Sequence, residues 1–367
     1  MHTIADVVQA LEELAPPTYA ESYDNPGLIV GDKQAKVTGV LVSLDCLEST
    51  VDEALEKGCN LVVSHHPIVF KGLKKLTGSN YVERTVLKAI RSGVALYASH
   101  TNLDSVVEGV SGRIASVLGL QDQKVLSPKS GLLSKLTVFV PKDEAASLRT
   151  ALFAAGAGRI GAYADCSFNL DGTGTFTPQD EANPHIGERG RTEYAEESRV
   201  EVMLPRHKEG AVLHAMREAH PYEEVAYYLH HIANANQYVG LGMYGELPES
   251  MSLGDFFALV RKSFHLQVIR HTATDLSRSV QRVGLCGGAG SFLLPAARAA
   301  ACDVFISGDF KYHEFFDAEG RIVIADIGHY ESEQFTIDLL AEFLTKKFST
   351  FATHLTEVNT NPVHYYY

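Results

Sequence analysis

The sequence predicts an α/β protein of two similar lobes that form one domain, interrupted by an α+β insert of ferredoxin-like order. Three observations carry this. Short apolar strands alternate with amphipathic helices over residues 1–128 and again over 235–367, the pattern of a mostly parallel sheet flanked by helices. The two stretches echo each other: VTGVLVSLDC (37–46) parallels VQRVGLCGGA (280–289), CNLVVSHH (59–66) parallels CDVFISGD (302–309), and GVALYASHTNLD (93–104) parallels RIVIADIGHYESE (321–333). Between them, over 129–234, the order changes to β-α-β-β-α-β, the split ferredoxin-like unit.

In chain order, MHTIADVVQALEELAP spaces its apolar residues as an amphipathic helix and has no basic leader, so it reads as structure and not as a signal peptide. Turn chemistry at Ser22 to Asp32 leads into a short strand. Then follow predicted strands over 37–45, 60–66 and 94–100, with helices over 49–57 and 82–92. In the insert, strands are expected over 135–141, 160–168, 199–205 and 224–232, helices over 143–155 and 208–220, and a polar loop over 169–197. The second lobe predicts helices over 253–264 and 332–348 and one beginning near Tyr312. Its strands are expected over 267–270, 280–286, 302–309 and 321–329.

Of 367 residues, 45% are hydrophobic and 21% charged, ordinary for a globular chain. The net charge of −13 argues against nucleic acid as the main partner, which would need a basic face. Five cysteines without CxxC spacing read as reduced core thiols of a cytoplasmic protein. No apolar run approaches the ~18 residues of a membrane span.

Polar residues gather where the predicted strands end, the edge at which open α/β sheets bind ligands: His65, His66, His100, Asp104, Asp309, His329 and Glu333. Each alone reads equally well as a cap or a satisfied polar group; converging from four strand ends, they read as metal ligands. All are nitrogen or oxygen donors, which suits zinc, manganese, iron or cobalt. His329 and Glu333 stand at i and i+4 where a helix begins, so both can face one centre. The set over-supplies one ion and suits two, roughly 3.5–4 Å apart as in sites that activate water. The two lobes are therefore expected to surround a dinuclear metal site. Asp45 reads as outer support or a cap. Lys311 and His313 read as anion contact and proton shuttle or as a solvated helix start. GGAGS (287–291) reads as an anion cradle or, more readily, as close strand–helix packing. His220, His230 and His231 read as structural.

At SHHPIVFKGLKKL, SHTNLD, GDFKYHE and DIGHYESE, with DNPGLIVGD early and NTNP late, the chain resembles the GTP cyclohydrolase I type 2 family, also called the Nif-three (NGG-interacting factor) family. The likeness covers residues 1 to about 128 and 235 to 367. It implies a dinuclear centre held by His65, His66, Asp104, His329 and Glu333, with two divalent ions (zinc, iron or manganese) per chain. The insert, with HPYEEVAYY, resembles a CutA/PII-like module, and members are similar in forming toroidal homohexamers. The family name implies hydrolysis of GTP with release of formate. The resemblance thus leads to a metal-dependent hydrolase of GTP or another small nucleotide-like anion. Glu333, His313 and His100 would manage protons and Lys311 would meet phosphate. The alternative it leaves is a non-catalytic metal-holding ring, in metal handling or scaffolding, with a regulatory insert. Neither membrane nor nucleic acid is expected as a partner.

Overall fold

A capping box starts the first helix, α1 (Ile4–Leu14): Thr3 Oγ1 accepts from the Asp6 amide while the Asp6 carboxylate accepts from the Thr3 amide. The helix turns Ile4, Val7, Val8 and Leu11 inward. The structure, a computed structural model, describes residues 2–366. The chain separates into two compact units, Met1–Pro128 with Tyr238–Tyr367, and Lys129–Gln237.

The first unit begins with β1 (Gly27–Val30), β2 (Gly39–Ser43), α2 (Glu48–Glu56), β3 (Leu61–Ser64), α3 (Tyr81–Ser92) and β4 (Ala95–Ala98). Strands β2, β3 and β4 are parallel and every residue in them is buried, as expected of a sheet covered on both faces. Their side chains Leu41, Val62 and Leu96 meet Val51 and Ala54 of α2 and Val86 and Ala89 of α3. Each fully buried Val or Leu of this kind contributes about 1.5–3 kcal/mol. Strand β1 closes one edge, antiparallel to β4. The short helix α4 (Thr101–Asp104), α5 (Val110–Val117) and β5 (Gln121–Lys129) follow.

The second unit is β6 (Leu133–Pro141), α6 (Ala145–Ala154), β7 (Phe168–Phe176), β8 (Glu193–Pro205), α7 (Glu209–Ala219) and β9 (Tyr227–Ile232). Its sheet order is β7-β8-β6-β9 with every neighbouring pair antiparallel, the arrangement of a ferredoxin-like unit. Leu136, Val138, Val140, Val200 and Val202 pack against Leu148, Leu152, Val212 and Met216 of the two helices. The strand expected over 160–168 instead starts at Phe168; Ile160 makes only an isolated bridge to Tyr163. Much of the expected polar loop is the hairpin of β7 and β8. Strand β7 is an edge strand exposed along most of its length, so no buried face marked it in the pattern.

The first unit resumes with β10 (Asn236–Ser252), α8 (Leu253–Ser263), β11 (Arg270–His271), β12 (Ser279–Ala289), α9 (Leu294–Ala299), β13 (Val304–Gly308), β14 (Val323–Asp326), α10 (His329–Glu333), α11 (Thr336–Lys347) and β15 (Ala352–Leu355). Its sheet runs β11-β14-β13-β12-β10-β5, with β12, β13 and β14 parallel and β11 antiparallel at the edge. That repeats β1-β4-β3-β2, strand for strand along the sequence echo. The helix expected over 332–348 is two, broken at Gln334 and Phe335. The strand expected over 267–270 covers only Arg270–His271, and the segment from Tyr312 is a 3-10 turn. The late strand β15, unassigned in the sequence reading, pairs in parallel with β2 of the first sheet, while β5 joins the second. Each lobe thus lends a strand to the other. No helix among the described residues is long and apolar enough to cross a membrane.

Candidate metal centre

The centre lies wholly in the first unit, where β3, β4, β13 and β14 end. Past β3, the amides of His65 and His66 both bond Leu44 O, which fixes where the two rings depart. His65 is fully buried, and its Nδ1–H donates to Ser99 O at 2.8 Å. A carbonyl only accepts, so the proton sits on Nδ1 and Nε2 presents a lone pair. The other three rings are tethered alike. The Nδ1–H groups donate to carboxylates: His66 to Asp45 at 2.8 Å, His100 to Asp24 at 2.7 Å and His329 to Asp309 at 2.8 Å. Asp45 also accepts from Thr360 Oγ1 at 2.6 Å, and Asp24 from the Thr101 amide at 3.0 Å. Burial opposes the charge on Asp24, but the bonds from His100 and Thr101 win and hold it at about 2.

Glu333 is the hub. Its Oε2 lies 3.0 Å from His66 Nε2 and 3.2 Å from His329 Nε2, and its Oε1 lies 3.7 Å from His65 Nε2. Asp104 Oδ1 lies 3.7 Å from the same His65 nitrogen. Three sets of possible ligand atoms result, each within 4.8 Å: His65 with Asp104 and Glu333, His66 with His329 and Glu333, and His65 with His66 and His100. His65 Nε2 and Asp104 Oδ1 are shut from solvent without a hydrogen-bond partner. Leaving a buried polar atom unpaired costs about 1–3 kcal/mol, more when it is charged. A cation between imidazole lone pairs and carboxylates satisfies both atoms, so the donor set fits divalent metal.

Burial pushes the Asp104 carboxyl up, while Glu333 is held well down, its burial outweighed by His65 and the other imidazoles. Burial works against charge on His66, but Asp45 and Glu333 raise it to about 10; Glu333 and Asp309 likewise raise His329 to about 9. A ligand set of this kind exchanges protons for metal.

The GGAGS segment makes room here. A Cβ on Gly288 would stand 2.4 Å from Glu333 Oε1, and its φ of +62° is in the left-handed region that favours glycine. The Gly288 amide donates to Ser332 Oγ and the Gly290 amide to Ser307 Oγ, each at 2.9 Å, so close packing and not an anion cradle accounts for the glycines.

A cavity of about 440 Å³ reaches His66, His329 and Asp309 and is lined also by Arg270, Tyr330 and Tyr365. The structure brings His65, His66, His100, Asp104, His329 and Glu333 together and sets Asp45 and Asp309 behind them. It does not bring Lys311 or His313 to this cavity. Asp309 turns with φ +59°, Phe310 is buried, and residues 311–313 run out into solvent. Arg270 stands in the cavity wall; its Nη1 pairs with Asp326 at 3.0 Å and its Nη2 donates to Phe310 O at 3.0 Å. Arg270 and Asp24 were not singled out from the sequence. Asp24 opens the DNPGLIVGD motif that carries the resemblance, but nothing in the motif points to His100, and Arg270 offered no more than its place at a strand.

Fold and site together define an α/β protein of paired sheets that collects histidine and carboxylate donors at its strand ends. The model of the Duf34/NIF3 (NGG1p interacting factor 3) family matches residues 2–362, and the chain belongs to that family. It is 39% identical over 325 residues to a protein of Halalkalibacterium halodurans, covering 88% of this chain and 87% of that one. It is 35% identical over 366 residues to one of Bacillus subtilis, covering 97% and 96%. Both are named GTP cyclohydrolase 1 type 2 homolog. The crystal structure of a Bacillus cereus protein related to NIF3 matches with a TM-score of 0.87 and 35% identity over 99% of both chains.

Proposed function

We propose that the chain is a dinuclear metal-dependent hydrolase acting on a small nucleotide-like or other anionic substrate, GTP being the first candidate because relatives carry that name. One observation supports this above the rest: four imidazoles are tethered outward at Nδ1, and His65, His66 and His329 aim Nε2 at the Glu333 carboxylate. Outward tethering of this kind orients metal-binding histidines and fixes their tautomers. Metal ions held there would polarise the bond under attack and lower the pKa of water.

In this reading His65 and Asp104 serve one position and His66 and His329 the other, with Glu333 shared. His100 faces His65 and His66 with its tautomer set by Asp24, so its Nε2 is placed to take or return a proton. Arg270 in the cavity wall meets the anion; its guanidinium is already oriented by Asp326 and Phe310. Lys311 and His313 carry no part in it. A toroidal homohexamer and a CutA/PII-like insert belong to the same proposal. Light scattering at six times the 40.0 kDa chain mass tests the first.

The test is metal content beside a nucleotide screen that reads formate and phosphate release, for wild type, His65→Ala and Glu333→Gln. Two equivalents per chain and metal-dependent turnover are expected in wild type, with His65→Ala losing at least one equivalent and Glu333→Gln losing turnover. Two equivalents without turnover of any nucleotide would favour the metal-holding scaffold instead. No metal bound, and none taken up on titration, would overturn both.

A further inference from the structure

The second unit carries a cavity of its own, about 570 Å³, far in sequence from the metal ligands. Its wall is aromatic: Phe139, Phe176, His185, Tyr222 and Tyr228 all line it. The Tyr222 ring sits 5.9 Å from Phe176 and 6.1 Å from His185, both tilted, and Phe139 and Tyr228 meet edge to face at 5.7 Å. These rings are held in place. His220, buried, donates Nε2–H to Phe139 O at 2.8 Å and accepts the Tyr222 amide at Nδ1, 3.0 Å away, which ties the Tyr222 loop to the sheet. Glu223 accepts from the Asn183 amide at 2.8 Å and braces the loop that bears His185.

The charge in the wall has one sign. Glu197, Glu223 and Glu224 line the cavity, and no lysine or arginine does. Glu197 lies against Gly174, where a Cβ would stand 2.1 Å from its Oε2; a glycine is therefore needed for the carboxylate to lie as it does. No ion pair to Glu197 is found among the described residues. The Tyr222 hydroxyl is shut from solvent, and burial first, then the Glu197 carboxylate beside it, push its pKa up.

We infer that this cavity binds a small organic cation, an amine or a quaternary ammonium group, between the aromatic faces and the Glu197 carboxylate. Ring faces carry negative potential and attract cations. A carboxylate without a cationic partner adds to that attraction, and the lack of Lys and Arg in the wall disfavours phosphates and carboxylates. Nothing in the inference depends on the metal centre.

Calorimetric titration of the full chain with choline, and with the uncharged isostere carrying carbon in place of the ammonium nitrogen, tests it. Choline is expected to bind at least about tenfold tighter than the isostere, a gap set by cation–π and ionic attraction. Glu197→Gln is expected to weaken choline about tenfold. Tyr222→Ala abolishes binding, whereas Tyr222→Phe, which keeps the ring, stays within about threefold of wild type. His65→Ala binds as wild type does. Equal affinity for choline and the isostere, no binding of choline, or loss of binding in His65→Ala would each overturn the assignment.

Discussion

The oxygens behind the rings orient the imidazoles, and so would set how well the proposed centre holds metal. Asp45 bonds His66 Nδ1 and is itself held by Thr360, so it orients the ring without needing to touch an ion. Asp45→Asn replaces a carboxylate acceptor by an amide and weakens that hold. Loss of such outer support typically costs about 10–100-fold in metal affinity. Competition with a chelator is expected to show a loss in that range, with the melting temperature of the metal-free protein little changed. At this scale the sequence was legible where chemistry alone selects the residue: His65, His66, His100, Asp104, His329 and Glu333 stand out as donors at strand ends. It was less so for supports. An aspartate in a turn, such as Asp24, looks like any other turn aspartate until folding carries it to His100. Lys311 and His313 lie past a left-handed residue, Asp309, and are exposed outside the cavity lining, a placement that strand-end chemistry alone does not reveal.

Among the elements, the loop before α3 is organised by one carboxylate. Glu83, buried, accepts from the amides of Thr77 and Ser79, from both of their hydroxyls, and from the Asn80 amide group. The Thr77 amide first, then the others, hold its pKa down at about 2. A depressed folded-state pKa means that the stabilisation is complete above the ordinary glutamate value and lost as pH falls through about 2. Hydrogen exchange of residues 71–80 is expected to accelerate as pH falls across that window in wild type, after correction for intrinsic rates. Glu83→Gln is expected to show fast exchange already at neutral pH, with trypsin cleaving after Lys74 or Lys75 several-fold faster. Unchanged exchange and cleavage would show that the lysine-bearing loop is held by something else. Element types were readable wherever burial left a clear pattern, such as the continuous apolar runs of β2, β3 and β4. They were not readable in β7 or β15, which lie at sheet edges and show only partial burial.

At the scale of the whole molecule, the second unit enters between neighbouring strands. Strand β5 ends at Lys129 and β10 begins at Asn236, and the two are adjacent in one sheet. Insertion between paired strands leaves the host core undisturbed. Replacing residues 130–235 by a short turn is therefore expected to leave the metal stoichiometry at the wild-type value while removing choline binding, both read by titration. Loss of metal binding with a cooperative melt retained would show that the insert supports the centre.

The mutual loan of strands has a bearing on how the protein is made. Chains emerge from the ribosome N-terminal end first, and domains tend to fold as they appear. The insert, whose strands are contiguous in sequence, can close its sheet while synthesis continues. The first sheet cannot, because β2 keeps an open edge until β15 arrives. His329 and Glu333 are synthesised only shortly before that strand. The candidate centre is thus completed late in translation, and a ribosome stalled between α4 and α10 holds a nascent chain with three of the five proposed ligands, His65, His66 and Asp104, and an unpaired strand.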